Sequence, residues 1–477
     1  MSLTRKLGSD ALVSWGGAIL IQIYQFLVLV GISYTLGVGQ YGVYAQVIAV
    51  VGIVSIFSGL GLHDSLVRFG QKKTITFPSL FSTLFIATGL INAVLAGAFI
   101  SSADVISHYA LSEQGNALAF RMGGLLIFIR GMGRFAAETY RVRMDVKRYT
   151  LLMKLQQLAP LLPLTVAFLL FSPSLVEVFS TIVLAEAFVM VAIIILAIRR
   201  EGLGSLDLDL LYPSLQFSVP QLASNLSGNI LTRADRVLLG VFIGPTAVGI
   251  YSVAYGVGNA IWAMTNAISV AFFPEFSRLV EEGRVDEVAT HLREGIRYHL
   301  AIATPGVAGL AVVSTGVYQL LAGEMSPPSV TVLIPVLAFG MLLWGLDSLY
   351  GVILLATERT KTAARIRGGA AILNIVLNIA LIPIFGISGA AVATVLSYAA
   401  SSSTLFYQAK HEVKATFPIK TAITTASIAI LMGVTLEFLD LSSLVITVLL
   451  GAVIYLSLAA LFTDLLTPLF QSIQDAV

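Results

Sequence analysis

The stretch "NILTRADRVLLGVFIG", residues 229–244, places three charged residues inside an otherwise apolar run. Arg233, Asp235 and Arg236 lie within four consecutive positions, and the residues that follow are mostly Val, Leu, Ile and Phe. A charge at the centre of a membrane helix costs about 2.5–3.5 kcal/mol on insertion scales, so a lipid-facing position is disfavoured. The stretch therefore predicts a membrane helix with one face turned toward a polar interior.

The composition of the whole chain is that of a membrane protein with many spans. Of its 477 residues, 57% are hydrophobic and 11% are charged, and the mean hydropathy is +0.91. A water-soluble globular protein does not tolerate such values. The absence of cysteine excludes disulfides, thiol chemistry and thiolate metal sites. The first apolar stretch, from about Asp10 to Leu36, lacks a small-residue cleavage site and is predicted to be retained as a span.

Apolar stretches of about 20 residues recur along the chain, each long enough to cross roughly 30 Å of hydrocarbon. They predict fourteen transmembrane helices, at residues 11–36, 41–62, 79–101, 117–137, 149–171, 175–198, 214–242, 247–271, 298–320, 331–356, 363–385, 388–408, 418–438 and 443–463. Every second connection contains no Lys or Arg, and the connections between these contain the loop arginines and lysines. The positive-inside rule then places both termini in the cytoplasm.

Two sequence echoes indicate an internal repeat. "LGVGQYGVYAQV" at 36–47 resembles "IGPTAVGIYSVA" at 243–254, with matching Gly and Tyr at an offset of 207, and "MDVKRYT" at 144–150 pairs with "TERTKTA" at 357–363. An even number of spans separates the copies, so both have the same orientation. We predict an all-α polytopic fold of two six-helix lobes in parallel repeat. The lobes cover residues 1–200 and 212–412, the acidic linker 201–211 joins them, and two further helices occupy 413–477.

Polar residues form stripes at helical spacing on three predicted spans. A stripe of this length is expected to face the interior of a helix bundle, because lipid provides no partner for polar groups. The alternative is that single Ser, Asn and Gln side chains only join neighbouring helices by hydrogen bonds. The candidate substrate-binding residues from these stripes are Gln22 and Gln25 on the first span, Asn225, Asn229, Arg233 and Arg236 on the seventh, and Tyr255 and Asn259 on the eighth.

Other ionisable residues inside the predicted spans are few. Arg130 and Arg121 on the fourth span are further candidates for substrate binding, although Arg121 lies nearer the outer surface. Because arginines outnumber acids among these candidates and the guanidinium fork matches phosphate oxygens in pairs, the predicted ligand is anionic, with a phosphate or diphosphate group. Asp235, Asp347 and Glu186 are candidates either for coupling to an Na+ or H+ gradient or for structural pairing. No residues predict a metal site or another cofactor.

Three stretches of the chain resemble a known family. "RADRVLLGVFIGPTAVGIYSVAY", "ATERTKTAARIRGGAAILNIVLNIALIPIFGISGAAVATVLSYA" and "GVYAQVIAVVGIVSIFSGLGLHDSLVRFGQ" are similar to the polysaccharide-transporter (Wzx-type O-antigen flippase) branch of the multidrug/oligosaccharidyl-lipid/polysaccharide exporter superfamily. The resemblance implies a fourteen-helix, multidrug-exporter-like fold in the cell membrane. It also implies a flippase, not an enzyme, that moves an isoprenoid-linked oligosaccharide to the outer leaflet by alternating access. The basic interior of the family corresponds best to Arg121, Arg130, Arg233 and Arg236, and its acid on the seventh helix to Asp235.

The implied partners are the isoprenoid-linked glycan, the lipid bilayer, and glycosyltransferases or a polymerase of the same pathway, but not nucleic acid. The main alternative is a multidrug or organic-cation exporter driven by Na+ or H+, which would need a net acidic cavity. A membrane glycosyltransferase would need large outer loops with catalytic acids or histidines, whereas the longest predicted outer loop spans only residues 102–116. No GxxxxGK[ST] motif predicts ATP hydrolysis.

Overall fold

The apolar segments of this chain form helices because hydrocarbon offers no partner for backbone N–H and C=O groups, and a helix satisfies these groups within the segment. The computed structural model describes the backbone of residues 3–72, 74–111, 115–323 and 327–462. Side chains are described over the same ranges except at 3–19, 223–225, 227, 267 and 271. Within these ranges the chain is helical and has no β-strand, so the all-α prediction is confirmed.

The α-helices of the described residues are numbered in chain order. They are α1 (Leu3–Leu36), α2 (Val38–Val54), α3 (Leu62–Phe69), α4 (Phe77–Ser101), α5 (Ala103–Leu111), α6 (Ala117–Val142), α7 (Val146–Leu158), α8 (Leu161–Leu170), α9 (Leu175–Glu201), α10 (Leu211–Phe242), α11 (Pro245–Glu281), α12 (Val285–Ala322), α13 (Val330–Ala356), α14 (Thr360–Val413), α15 (Ile419–Leu439) and α16 (Leu444–Phe462). Two short 3-10 segments, Ser55–Gly61 and Leu208–Leu210, precede α3 and α10.

Membrane-spanning character is clearest in ten helical stretches, which are long and apolar enough by composition to cross a bilayer in the part of the chain that the structure describes. The helices α6 and α10 are absent from this set. Half-buried arginines, Arg130 in α6 and Arg233 and Arg236 in α10, contribute to the lower hydropathy of these two helices. The protein is a multi-pass membrane protein, while the count of fourteen spans and the N-in/C-in topology stay predictions.

Helix α14 contains two of the predicted spans. Its 54 residues would extend about 80 Å as one straight helix at 1.5 Å per residue, far beyond the bilayer thickness. The chain turns at Gly386, whose φ of 59° and ψ of −137° suit a residue without Cβ. The turn falls in the predicted loop 386–387, which agrees with the sequence pattern.

The second predicted span is interrupted near its C-terminal end, which hydropathy did not predict. Ser58, Gly59 and Leu60 leave helical geometry, with φ of 55° at Gly59 and 46° at Leu60. The buried Asn92 of α4 compensates for this, since its Oδ1 accepts hydrogen bonds from the Gly59 N–H at 2.8 Å and from the Ser58 hydroxyl at 2.9 Å. The helix then resumes as α3. Non-helical backbone at membrane depth is tolerated where protein groups satisfy it in this way.

The chain divides into two compact units, Met1–Gly249 and Ile250–Val477. In the first unit α10 packs against α2 and α3, although the predicted plan assigned this helix to the C-terminal lobe. The first compact unit thus continues past the linker 201–211 to Gly249. The division into a lobe at 1–200, a lobe at 212–412 and extra helices at 413–477 stays a prediction.

The glycines of the sequence repeat lie at a close crossing within the first unit. A Cβ on Gly42 of α2 would clash with the Pro245 carbonyl group, and a Cβ on Gly249 would clash with the Val38 carbonyl group. The other glycine pair of the repeat, Gly37 and Gly244, has positive φ at both positions, 85° and 116°. The repeated glycines therefore permit two helix starts to approach each other backbone to backbone.

Two regions are more helical than predicted. The predicted loop 102–116 contains α5, and both α11 and α12 extend beyond their predicted spans through the connection between them. This extension carries exposed ion pairs, among them Arg278 with Glu275 and Glu282. Hydrogen bonds from Arg284 and Arg278 lower the pKa of the Glu282 carboxyl group. Such pairs support a helix surface in water.

Candidate substrate site

The polar face of α10 begins at Ser218, which is fully buried, and continues to the arginines near the C-terminal end of the helix. The Nε of Arg233 donates to Oδ1 of Asn229, one turn earlier, at 3.2 Å. The guanidinium group of Arg233 lies against Gly52 of α2, where a side chain would occupy the same space. The arginine is therefore held within the first unit by both helices. The side chain of Asn225 lies outside the described residues.

Arg236 and Asp235 have different environments on the same turn of α10. Arg236 is half-buried, and its Nη1 donates to the Thr232 carbonyl oxygen at 3.3 Å. Asp235 is buried, and its Oδ1 accepts from the Arg236 backbone N–H at 2.8 Å. The sequence predicts that Arg236 binds the ligand and that Asp235 serves in structural pairing or in ion coupling. Both roles stay predictions.

Arg130 of α6 and Glu186 of α9 form a two-pronged ion pair. The Arg130 Nε and Nη2 donate to the two carboxylate oxygens of Glu186 at 2.8 and 2.6 Å. The carboxylate is almost fully buried, whereas 38% of the arginine side chain is exposed. A predicted ligand-binding cation and a predicted coupling acid are thus partners of each other. The pairing orients the guanidinium group through its Nε and Nη2.

Two tyrosines near this pair were not among the predicted site residues. Tyr24 of α1 and Tyr44 of α2 lie close to each other and to the Arg130–Glu186 pair. Tyr24 lies beside the predicted residues Gln22, which is half-buried, and Gln25, which is exposed. The available sequence signal was the position of Tyr44 in the repeated "GVY" and "GIY" motifs.

Arg121 does not join the arginines in the middle of the first unit. It lies in the first turns of α6, nine residues before Arg130, which is about 14 Å along the helix. Its Nη2 donates to Asp104 of α5 at 2.8 Å, and both side chains are exposed. An exposed pair of this kind contributes little stability.

The second unit contains a buried carboxylate that accepts three hydrogen bonds from two residues. Both Nε and Nη2 of Arg367 in α14 donate to Oδ2 of Asp347 in α13, at 3.0 and 2.7 Å. Oδ1 of Asp347 accepts a short hydrogen bond from Ser401. Asp347, a candidate for ion coupling or for structural pairing, therefore has an ion-pair partner. Arg367 was missed because it lies close to the predicted start of its span.

The predicted eighth-span residues are mainly packed in the second unit. Tyr255 is buried, and its hydroxyl group lies 3.2 Å from that of Tyr398 in α14. Its neighbour Tyr251 contacts Thr394 in the same way at 3.1 Å, while Asn259 is half-buried. Tyr255 thus joins α11 to α14 through its contact with Tyr398. Among the residues that the structure describes, no group of three or more His, Asp or Glu has the arrangement of a metal site.

Long apolar helices that enclose arginines and buried carboxylates define a multi-pass membrane protein with a polar interior. The chain belongs to the family described as polysaccharide biosynthesis protein, whose profile matches residues 35–331. The profile described as lipid II flippase MurJ matches residues 225–459. The resemblance to the polysaccharide-transporter branch of the exporter superfamily is thereby confirmed.

Relatives and solved structures support the same assignment. The chain is 25% identical over 405 residues to the probable flippase AglR of Haloferax volcanii. The aligned region covers 82% of this chain and 81% of the relative. The structure of the lipid II flippase MurJ in an inward closed conformation matches with a TM-score of 0.79 and 14% identity, over 95% of this chain and 98% of that one. An inward-facing multidrug transporter of the same superfamily matches with a TM-score of 0.64 and 15% identity, over 85% and 98%. These two structures show the fold.

Proposed function

We propose that this protein is a flippase that moves an isoprenoid phosphate-linked or diphosphate-linked oligosaccharide from the cytoplasmic to the outer leaflet by alternating access. The observation that carries the proposal is the set of arginines in the first unit, each oriented by a neighbouring group. Arg130 is held by Glu186, Arg233 by Asn229, and Arg236 by the Thr232 carbonyl group. Pre-oriented guanidinium groups bind phosphate with less loss of side-chain freedom.

The acids of the structure favour this function over export of organic cations. A cation exporter needs carboxylates that are available to its ligand. Four buried acids of the described residues instead form ion pairs with arginines: Glu138 with Arg141, Glu186 with Arg130, Glu201 with Arg143, and Asp347 with Arg367. The likeness to multidrug transporters concerns the fold, whereas the relative AglR carries the name of a probable flippase.

The remaining parts of the proposal concern the cellular setting. The flippase would act in the cell membrane, between the glycosyltransferases that build the glycan and a transferase or polymerase that uses it. An Na+ or H+ gradient would drive the cycle, with Asp235, Asp347 and Glu186 as the acids to test for coupling. Cell-surface polysaccharide or glycoprotein assembly would receive the product.

Reconstituted vesicles test the proposal directly. The full chain is placed in liposomes with a short isoprenoid phosphate-linked sugar that carries a nitrobenzoxadiazole fluorophore, and dithionite measures how much of the probe reaches the outer leaflet. We expect the parent protein to expose the whole pool. The Arg233→Ala and Arg236→Ala variants should slow exchange by about tenfold or more, since each loses charge-assisted hydrogen bonds.

Arg278→Ala is the matched control, because this arginine forms exposed pairs at the end of α11. Equal exchange rates in the parent and in both α10 variants would contradict the assignment of the α10 arginines. Exchange of ethidium but not of the lipid-linked sugar by the parent protein would instead support the exporter.

A further inference from the structure

Arg367 lies on the face of α14 that packs inward within the second unit. Ala363, Ala370 and Asn374, at helical spacing from it, are all buried. The opposite face carries Ile372, which is 67% exposed and fits contact with lipid. The Arg367 side chain is 30% exposed although it lies on the packed face. Part of this side chain therefore stays accessible, although its neighbours on the same face of the helix are buried.

The orientation of Arg367 is fixed on two sides. The Asp347 carboxylate occupies the Nε and Nη2 edge of the guanidinium group. Ser401 in turn donates a hydrogen bond to this carboxylate. The ring of Trp344 lies 5.7 Å from the central guanidinium carbon, and that ring in turn packs on Tyr398 at 4.8 Å. These contacts direct the Nη1 edge away from the carboxylate. A carboxylate that fixes a binding group in this way lowers the entropy lost when a ligand arrives.

The depth of Arg367 suits the head of a membrane lipid. It lies seven residues inside the start of α14, about 10 Å along the helix. In the predicted topology this is the cytoplasmic half of the bilayer. The polar head of an amphiphile in the membrane can lie at this depth. A guanidinium edge binds an oxyanion, so it favours heads that carry a phosphate or a carboxylate.

We propose that Arg367, positioned by Asp347 and Trp344, binds an oxyanion of the amphiphilic substrate in the second unit. The oxyanion is either the carrier phosphate or a carboxylate on the attached sugar. The inference deepens the proposed function and rests on it, since it adds a ligand contact that the first-unit arginines do not provide. Asp347 then acts as a positioning residue.

The three tryptophans of the chain make a selective experiment feasible. Replacing Trp15→Phe and Trp262→Phe leaves Trp344 as the sole indole in the full-length protein. The protein is placed in nanodiscs and titrated with two matched pairs of probes, farnesyl phosphate against farnesol and octyl glucuronide against octyl glucoside. We expect a saturable change in Trp344 emission with at least one anionic probe and none with its neutral counterpart.

Two variants locate the response. Removing Arg367 alone leaves a buried carboxylate without its partner and endangers folding, so Arg367→Gln is combined with Asp347→Asn. This double variant should bind the anionic probe about tenfold or more weakly, as expected for the loss of a charge-assisted hydrogen bond. Arg365→Gln is the control, because that arginine is exposed two positions away. Size-exclusion chromatography and thermal unfolding establish that each variant is folded.

The outcomes are distinct. A response to farnesyl phosphate assigns the carrier phosphate as the ligand, and a response to octyl glucuronide assigns a sugar carboxylate. No saturable response in the parent, or unchanged affinity in the folded double variant, overturns the inference. If the parent protein shows no exchange of the lipid-linked sugar but does show the Trp344 response, the proposed function is overturned. Oxyanion binding at Arg367 is then still supported.

Discussion

At the scale of single residues, the charges inside the helices are mostly held in pairs. Arg130 with Glu186 and Arg367 with Asp347 each join two helices of one unit, and in both pairs the carboxylate is more buried than the arginine. Burial of a carboxylate without a partner is costly, and the paired arginine offsets part of that cost. Because the arginine keeps an exposed edge, the same pair stabilises the fold and presents a cation.

Glu186→Gln should destabilise the first unit. The cost expected for breaking a buried pair is about 3–5 kcal/mol, and the exposure of Arg130 reduces this to roughly 1–3 kcal/mol. The double variant Arg130→Gln with Glu186→Gln should regain most of the loss. Thermal unfolding in detergent measures the effect. Arg121→Gln is the control, since its pair with Asp104 is exposed and should contribute at most about 1 kcal/mol; equal losses in Glu186→Gln and Arg121→Gln would refute the argument.

At the scale of elements, breaks in helices are placed by particular residues. Gly386 interrupts the helical geometry of α14, and the break at Gly59, whose N–H is bonded to Asn92, interrupts the second predicted span. The turn at Gly386 has no alternative support from a side chain in the described contacts, so its geometry depends on the glycine itself. A residue with Cβ in that conformation is strained by about 1–3 kcal/mol.

Gly386→Ala should therefore lower the melting temperature. Gly369→Ala, in the same helix, is a matched control because its Cβ would meet nothing within 4 Å and its backbone is helical. That substitution should be neutral or raise stability by about 0.5–1 kcal/mol. The comparison is made by thermal unfolding of both purified variants. A drop of the same size in both would show that helix α14 responds to added bulk and not to backbone strain.

The sequence predicted which segments are helices and left open which helices are neighbours. Hydropathy located the long helices because burial in lipid depends on composition along the segment. It missed the break at Gly59, since the residues around it are as apolar as a continuous span, and it treated α5 as a loop. For the site, the pattern predicted Arg130, Glu186 and Asp347 as ionisable residues inside spans. Their pairings depend on contacts between distant segments, which helical spacing does not encode.

At the scale of the whole molecule, the described residues form a multi-pass protein of two compact units with the fold of the exporter superfamily. The distribution of Lys and Arg between alternate loops predicts the orientation of every helix at once. Because one wrongly assigned span would invert all later loops, the topology is tested best at several loops along the chain.

Single cysteines in this cysteine-free chain provide that test. Gln40→Cys and Val105→Cys should react with a membrane-impermeant maleimide added to intact cells, because both positions are exposed in predicted outer connections. Gln71→Cys, Lys147→Cys and Glu282→Cys should react only after the cells are opened. Labelling of the second group in intact cells, or protection of the first, would overturn the N-in/C-in orientation.

The spacing of the two buried pairs along the chain has a consequence for biosynthesis. Arg130 and Glu186 are 56 positions apart, with α7 and α8 between them, whereas Asp347 and Arg367 are 20 positions apart on consecutive helices. A ribosome therefore delivers α6 to the insertion machinery well before the acid that pairs with Arg130, and an unpaired arginine inside a span is costly in lipid. We expect α6 to wait beside the translocon until α9 emerges, so that helices α6 to α9 are released into the bilayer as one group.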